Sequence, residues 1–349
     1  MKNSRLQEIL AKAEARIPIT KNELMYILNL PEASHESALV RSMADRLIRE
    51  KNENSAIIIA QVGVDIHPCE AACKFCSCAE GSTQLPTFKL DKPGIKAAID
   101  EFCKGGDLYG LYLMTMADTD QEYLIEAVKY AREVAQPETQ IWINTGDNDA
   151  EFYKKVAAAG AVGAYHVHRL REGVDTRLDS ETRVKSMKYI REAGMDLFSC
   201  VEPIGPEHSV EEMAEEIMRC VDLEVTQFGA MRRIAVPGSP FGDSGQISNL
   251  KMAHVVGCVG LAYASVPTAR FFGVHEPSEA GYLSGANFVT AETGVNPRDV
   301  AVDTSEGRGW DIYRCRKHLF ECGFEYLLKG DGTKIPLTYE YLEKTDSLI

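Results

Sequence analysis

The sequence predicts an α/β fold, a (β/α)8 TIM-type barrel with a helical N-terminal extension. Three observations carry this. From residue 56 onward, β-rich apolar runs alternate with amphipathic helical stretches, and eight strand–helix units follow one another. No low-complexity segment or obvious linker interrupts them. The length, 349 residues, suits one large α/β domain or two small ones.

The first 55 residues read as helices. Leu6, Ile9 and Leu10 share a helical face, and Thr20 with Glu23 forms a capping-box pattern that opens a helix over 21–28. A third helix is expected over 37–50. The run 56–62 is apolar and β-branched, as a strand buried on both faces would be. A helix over 93–102, a strand over 108–116 and a long helix over 120–135 follow. Strands are then expected over 140–144, 162–167, 196–202, 225–236, 268–274 and 287–291. The helices between them cover 150–159, 180–193 (with Gly194 as its C-terminal cap), 210–221, 249–264 and 276–283. A last helix runs over 310–322. The division is therefore 1–55 as extension and 56–349 as barrel. In such a barrel the chemistry sits at the C-terminal ends of the strands, so candidate residues should fall just after strands.

Composition narrows the function. Lys and Arg number 38 against 52 Asp and Glu, a net charge of −14. A surface this acidic repels phosphate backbones and argues against nucleic acid as a partner. No run approaches the ~20 apolar residues of a membrane helix, and the first residues show no apolar leader core, so a cytoplasmic protein with no membrane partner is expected. Disulfides are rare in that compartment. Ten cysteines then need another reading: metal ligands, reactive thiols or core.

Three of them, Cys69, Cys73 and Cys76, form C-x3-C-x2-C directly after the first strand. Three thiolates on one loop can converge on one inorganic centre. A 4Fe-4S cluster normally takes four cysteines, so three would leave one iron open to another ligand. A zinc knot completed by Cys78 is the alternative on spacing alone. Cys103, Cys220, Cys258, Cys315 and Cys322 fall on helices and read as core.

With Phe75 just before the last cysteine, this loop resembles the signature of the radical S-adenosylmethionine (SAM) enzymes. The resemblance extends along most of the chain. It is strongest to the subgroup of biotin synthase, the hydrogenase maturase HydE and methylornithine synthase, whose ending is matched by Ser284-Gly285-Ala286-Asn287. The C-terminal part of 56–349 would accordingly be the biotin/thiamin-synthesis-associated region.

The resemblance implies an enzyme with two cofactors, a 4Fe-4S cluster on Cys69, Cys73 and Cys76 and SAM chelated to the open iron. One electron, from a donor such as ferredoxin or flavodoxin, would cleave SAM to methionine and a 5′-deoxyadenosyl radical that takes hydrogen from a substrate. Thr115-Met116-Ala117-Asp118, after the second strand, resembles the family's Gly-Gly-Glu segment for the SAM amino group. Arg183 matches the arginine that pairs the SAM carboxylate, a contact a fork donor suits. Glu202 and Ile204 match part of the adenine segment after the fifth strand. Pro237-Gly238-Ser239-Pro240 resembles an element after the sixth.

Departures narrow the reaction. The positions that would hold the internal sulfur-donor cluster of biotin synthase carry Asn144 on the third strand, Phe198 on the fifth and His275 in place of an arginine. Biotin synthesis is therefore not expected. His166, His168, Arg232, Arg233, Arg270 and His275 lie at or near expected strand ends. Several cations around one cavity suit a small anionic substrate, an amino acid or a cofactor precursor. The reaction would be a biosynthetic rearrangement, a cleavage or a metal-cofactor maturation step, run anaerobically. A zinc-dependent barrel hydrolase and a non-catalytic iron–sulfur binding protein are the other readings.

Overall fold

The computed structural model describes residues 4–293 and 309–346. Eight parallel strands close into a barrel: β1 (Ser55–Gly63), β2 (Gly110–Met114), β3 (Gln140–Asn144), β4 (Ala161–Tyr165), β5 (Asp196–Ile204), β6 (Gln227–Arg232), β7 (Phe271–His275) and β8 (Phe288–Thr293). Each pairs with the next, and β8 closes onto β1 with Ile57 opposite Phe288 and Val62 opposite Thr293. Expected and observed strands coincide one for one. The largest difference is β6, which is shorter than 225–236 because the chain leaves the sheet after Arg232.

The N-terminal helices are α1 (Ser4–Glu14), α2 (Lys21–Leu28) and α3 (His35–Lys51). The Thr20–Glu23 capping box at the start of α2 forms as expected. The outer helices α4 (Lys92–Cys103), α5 (Gln121–Val134), α6 (Ala150–Ala158), α7 (Ser180–Glu192) and α8 (Val210–Asp222) surround the strands, followed by α9 (Asn249–Ala262) and the short α10 (Glu279–Tyr282). The extension packs on α8 and α9. This explains why α9 is apolar all round: β6 and β7 cover one side and α3 the other, so Met252 to Ala262 are all buried. Gly257 and Gly260 allow the close approach, since a Cβ on Gly260 would stand 2.9 Å from the Ala44 Cβ.

Two features were not expected from the sequence. A two-residue ribbon, Asp65–Ile66 against Phe88–Lys89, brackets the cysteine loop. After α11 (Ile312–Glu321), a hairpin of β9 (Tyr326–Leu328) and β10 (Lys334–Pro336) sits beside the start of β1, and α12 (Tyr339–Asp346) ends the described chain. Asp107 ties this end down: it accepts from Arg316 Nε at 2.6 Å, Arg316 Nη2 at 2.9 Å and the Tyr341 hydroxyl at 2.8 Å.

The barrel interior is divided. Its N-terminal half is filled by aromatic rings: Tyr112 stacks on Trp142 at 5.1 Å, and Phe198 meets Phe288 edge-on at 5.1 Å. Glycines make this filling possible. A Cβ on Gly163 would stand 2.3 Å from the Trp142 ring, and one on Gly273 would stand 2.2 Å from Phe288. Above this floor the C-terminal half is open. Arg270 corrects an expectation. β7 begins at Phe271, so Arg270 precedes the strand, lies exposed at the N-terminal end of the barrel and cannot face the cavity.

Candidate active site

The cysteine loop follows β1 at the C-terminal mouth, where barrel chemistry belongs. Its backbone is folded on itself. The Cys69 N–H donates to the Cys78 carbonyl at 2.8 Å, the Cys76 N–H to the Cys73 carbonyl at 3.1 Å, and Ala72 takes a left-handed φ of 44°. The loop is tied to the segment between β4 and α7 by Lys74 N–H to the Asp175 carbonyl at 3.0 Å and Arg177 N–H to the Ala71 carbonyl at 2.9 Å.

Cys69, Cys73 and Cys76 line one cavity, together with Thr115, Ala117, His166, Arg169 and Arg183. Cys78 lines it as well, and packs against Ile66 and Met116. Burial pushes the Cys73 thiol up to about 12. Contact with Cys78, then burial, raises Cys76, and burial raises Cys69 against donated backbone hydrogen bonds from Ala117 and Ala71. Burial makes these thiols poor free thiolates, while the N–H groups aimed at Cys69 favour its charged form. The thiols become good thiolates when a cationic centre replaces their protons, so the donor set fits an iron–sulfur cluster. Among the described residues, no three His, Cys, Asp or Glu side chains are grouped as a ready-made site for a single metal ion.

Arg183 is 3% exposed. Its Nη1 stands 2.8 Å from His166 Nε2 and 3.3 Å from Asp147 Oδ1, while its Nε, buried, has no hydrogen-bond partner. That Nε faces Glu172 Oε2 at 3.8 Å, beyond hydrogen-bond reach, and the guanidinium lines the cysteine cavity, where a fork donor suits a carboxylate ligand. Asp147 also bonds His166 at 2.9 Å. Burial works against the Asp147 charge, but His166 and Arg183 prevail and lower its pKa. Burial, then the Arg183 charge, lowers His166 to about 4, so it is neutral here.

A larger cavity adjoins the first, inside the open half of the barrel, with about 1000 Å³ of empty space, part of it open to solvent. Cys73, Cys76, Asn144, Tyr165 and Arg169 line both. Phe75 lines the larger one, as do Glu202, Arg233 and His275. Glu202 accepts the Tyr165 hydroxyl at 2.6 Å and faces Arg169 Nε at 3.6 Å. His275 Nε2 stands 3.0 Å from the buried Glu292. Arg233 is held bidentately by Glu207.

Five side chains expected in the site lie elsewhere. His168 is held between Glu216 (2.7 Å) and Ser180 (2.7 Å) toward α7 and α8, because the chain has left the strand at Tyr165 and strand alternation no longer aims it inward. Arg232 points away from the cavity that its neighbours Met231 and Arg233 line, as alternation requires. It binds the Ile247 carbonyl at 3.2 Å and Glu276 at 3.5 Å. Ile204 joins the outer core: the pairing register shifts between Val201 and Ile204, which turns it away from the face shared by Phe198, Cys200 and Glu202. Asp118 pairs with His67 at 3.2 Å and lines neither cavity, whereas Ala117 does line the first. Arg270, as noted, is at the other end of the barrel.

The sequence reading missed Arg169, Asp147 and Glu172. Arg169 faces both cavities. Burial opposes its charge, and Cys73, Glu172 and Glu202 more than offset this, so its pKa is raised. Its place a few residues after β4 was the available sign.

Comparison with solved structures matches this architecture along nearly the whole chain. Methylornithine synthase (PylB) superposes with a TM-score of 0.76 at 16% identity, covering 98% of this chain and 100% of that one. The fold is similar to that of methylornithine synthase. HydG, a maturase of the FeFe-hydrogenase, gives 0.76 at 17% identity over 93% of this chain and 76% of that one. HydG from Carboxydothermus hydrogenoformans gives 0.74 at 14%, over 92% and 79%. At these identities the likeness establishes the (β/α)8 fold with its helical N-terminal part. No protein-family description and no curated protein matches the sequence. No described helix is long and apolar enough to cross a membrane.

Proposed function

We propose that this chain is a radical SAM enzyme acting on a small molecule inside the barrel. The observation that carries the reading is the meeting of Cys69, Cys73, Cys76 and Arg183 in one cavity that opens onto the barrel interior. The three thiolates would hold a 4Fe-4S cluster, and Arg183, with the backbone at Ala117, would hold SAM. Bound there, cluster and SAM would together supply a 5′-deoxyadenosyl radical for hydrogen abstraction from a substrate.

The chain's own groups do the rest. Arg169 faces the cluster cavity on one side and Glu202 on the other, so its charge offsets anionic groups where the two cavities join. The apolar walls of the larger cavity, among them Met114, Phe198 and Phe288, limit water around a reactive intermediate. Arg233 presents a cation to the substrate, and His275 an imidazole. Both are already matched, by Glu292 and Glu207. An anionic substrate group must compete with those carboxylates or bring its own positive charge, as an amino acid does. The reaction is a rearrangement, a cleavage or a cofactor-maturation step, and residues 1–55 act as an extension to the catalytic barrel at 56–349.

The test is electron paramagnetic resonance of the anaerobically reconstituted, reduced protein. The account expects a 4Fe-4S spectrum that changes when SAM is added and that is lost in Cys73→Ala. A spectrum indifferent to SAM overturns the reading and favours an iron–sulfur protein without this chemistry.

A further inference from the structure

Cys200 stands in the larger cavity, apart from the cysteine loop. It lies in the middle of β5, where alternation puts Phe198, Cys200 and Glu202 on the inward face, and it carries a thiol. Cys73 and Cys76 bound the same space from the loop beyond the strand ends. Level with Cys200, β6 and β7 carry Gly229 and Gly273. The sulfur lies over the first of these, since a Cβ on Gly229 would stand 2.6 Å from it, and both glycines line the cavity. A substrate held there has the cluster cysteines on one side and a thiol on another. We infer that Cys200 is a hydrogen-atom donor: once a substrate carbon has lost its hydrogen, the Cys200 S–H bond supplies the hydrogen of the product. The inference rests on the function proposed above and adds to it the fate of the substrate radical.

A second feature marks this space as a ligand site. Arg233 is 1% exposed and lines it. Its Nη atoms are held by Glu207, while its Nε has no hydrogen-bond partner among the described residues. A buried donor left unmatched calls for an acceptor on a ligand. The thiol suits the step because an S–H bond is weaker than most C–H bonds, so transfer of its hydrogen to a carbon radical runs downhill. The aromatic rings of Phe198 and Phe288, which line the same cavity, keep water from a radical on sulfur. The steps balance. A substrate C–H bond breaks and a C–H bond of 5′-deoxyadenosine forms. The Cys200 S–H bond then breaks and the product C–H bond forms. The sulfur radical takes one electron from the one-electron reductant that serves the cluster and one proton from solvent, which restores the thiol. SAM is therefore consumed once per turnover, and the product carries a hydrogen that came from solvent.

Two readouts on the full chain test the inference. The first uses the protein without cluster or SAM. Methyl methanethiosulfonate, followed by peptide mass spectrometry, should modify Cys200 through the cavity, while Cys258, packed in the outer core, reacts only when the structure opens. The second uses the cluster-loaded protein with SAM and dithionite in heavy water, with no substrate added. The 5′-deoxyadenosyl radical itself then draws on the exchanged S–D bond, and mass spectrometry should find deuterium in 5′-deoxyadenosine. Cys200→Ala should lose that deuterium. So should the near-isosteric Cys200→Ser, whose O–H bond is too strong to give up its hydrogen in this way. Cys103→Ala, on α4 and outside both cavities, should keep it. Deuterium that persists in both Cys200 variants, unlabelled 5′-deoxyadenosine from the unsubstituted chain, or a Cys200 no more reactive than Cys258 overturns the donor role alone. Failure of the unsubstituted chain to form 5′-deoxyadenosine with dithionite overturns the underlying function and this inference together.

Discussion

Replacing Arg183 by alanine tests both the energetics of the site and its proposed use. Arg183 is buried between Asp147, His166 and Glu172. Removing it leaves the buried Glu172 and the half-buried Asp147 short of a cation. Breaking a buried pair in this way costs about 3–5 kcal/mol. The low end applies, because burial and the nearby Arg169 already disfavour the Arg183 charge. The apoprotein should therefore lose about 3 kcal/mol in urea unfolding followed by circular dichroism. SAM should bind about tenfold to a hundredfold more weakly to the cluster-loaded variant, since charge-assisted hydrogen bonds contribute roughly 1.5–3 kcal/mol. Arg183→Lys keeps the charge and loses the fork, so it should fold well and fall between the two. Unchanged SAM affinity in an Arg183→Ala or Arg183→Lys protein that folds and carries iron refutes the carboxylate contact.

The remaining predictions concern stability. His166 has a folded pKa of about 4 against an ordinary 6.5. The unfolded chain takes up the proton first, so stability should fall as pH drops from about 6.5 toward 4, by about 3 kcal/mol over that window. Arg183→Ala removes one cause of the depression. It should raise the His166 pKa, read by NMR titration, and flatten this slope. Asp107→Ala should cost about 3–5 kcal/mol by stranding buried Arg316. The double variant Asp107→Leu, Arg316→Met should regain most of that in urea unfolding, and no recovery would contradict the pairing. Gly273→Ala forces a Cβ to within 2.2 Å of the Phe288 ring. It should lower stability by about 1–3 kcal/mol and lower Tm, and an unchanged Tm would count against the aromatic floor.

The barrel was legible because the strands are mostly buried apolar runs, and most are followed by an amphipathic helix with a side-chain cap. The ribbon at Asp65 and Phe88 and the hairpin at Tyr326–Leu328 were not, since two- and three-residue strands leave no periodicity. The cysteine loop could be read from spacing alone. The cavity cations could not, because one residue of strand boundary decides which way a side chain points. Arg270 moved to the wrong end of the barrel when β7 began at Phe271. His168 and Ile204 turned outward at a strand end and a register shift. Arg169 and Asp147 pair with residues far along the chain, and their places a few residues after strands were the local sign.

The central claim is that Cys69, Cys73 and Cys76 support reductive cleavage of SAM. The direct measurement is chromatographic detection of 5′-deoxyadenosine after anaerobic incubation of the reconstituted, reduced protein with SAM, alongside its iron content. The account predicts about four irons per chain and 5′-deoxyadenosine that disappears in Cys73→Ala. Colourless protein with stoichiometric zinc, or 5′-deoxyadenosine formed equally well by Cys73→Ala, would contradict it.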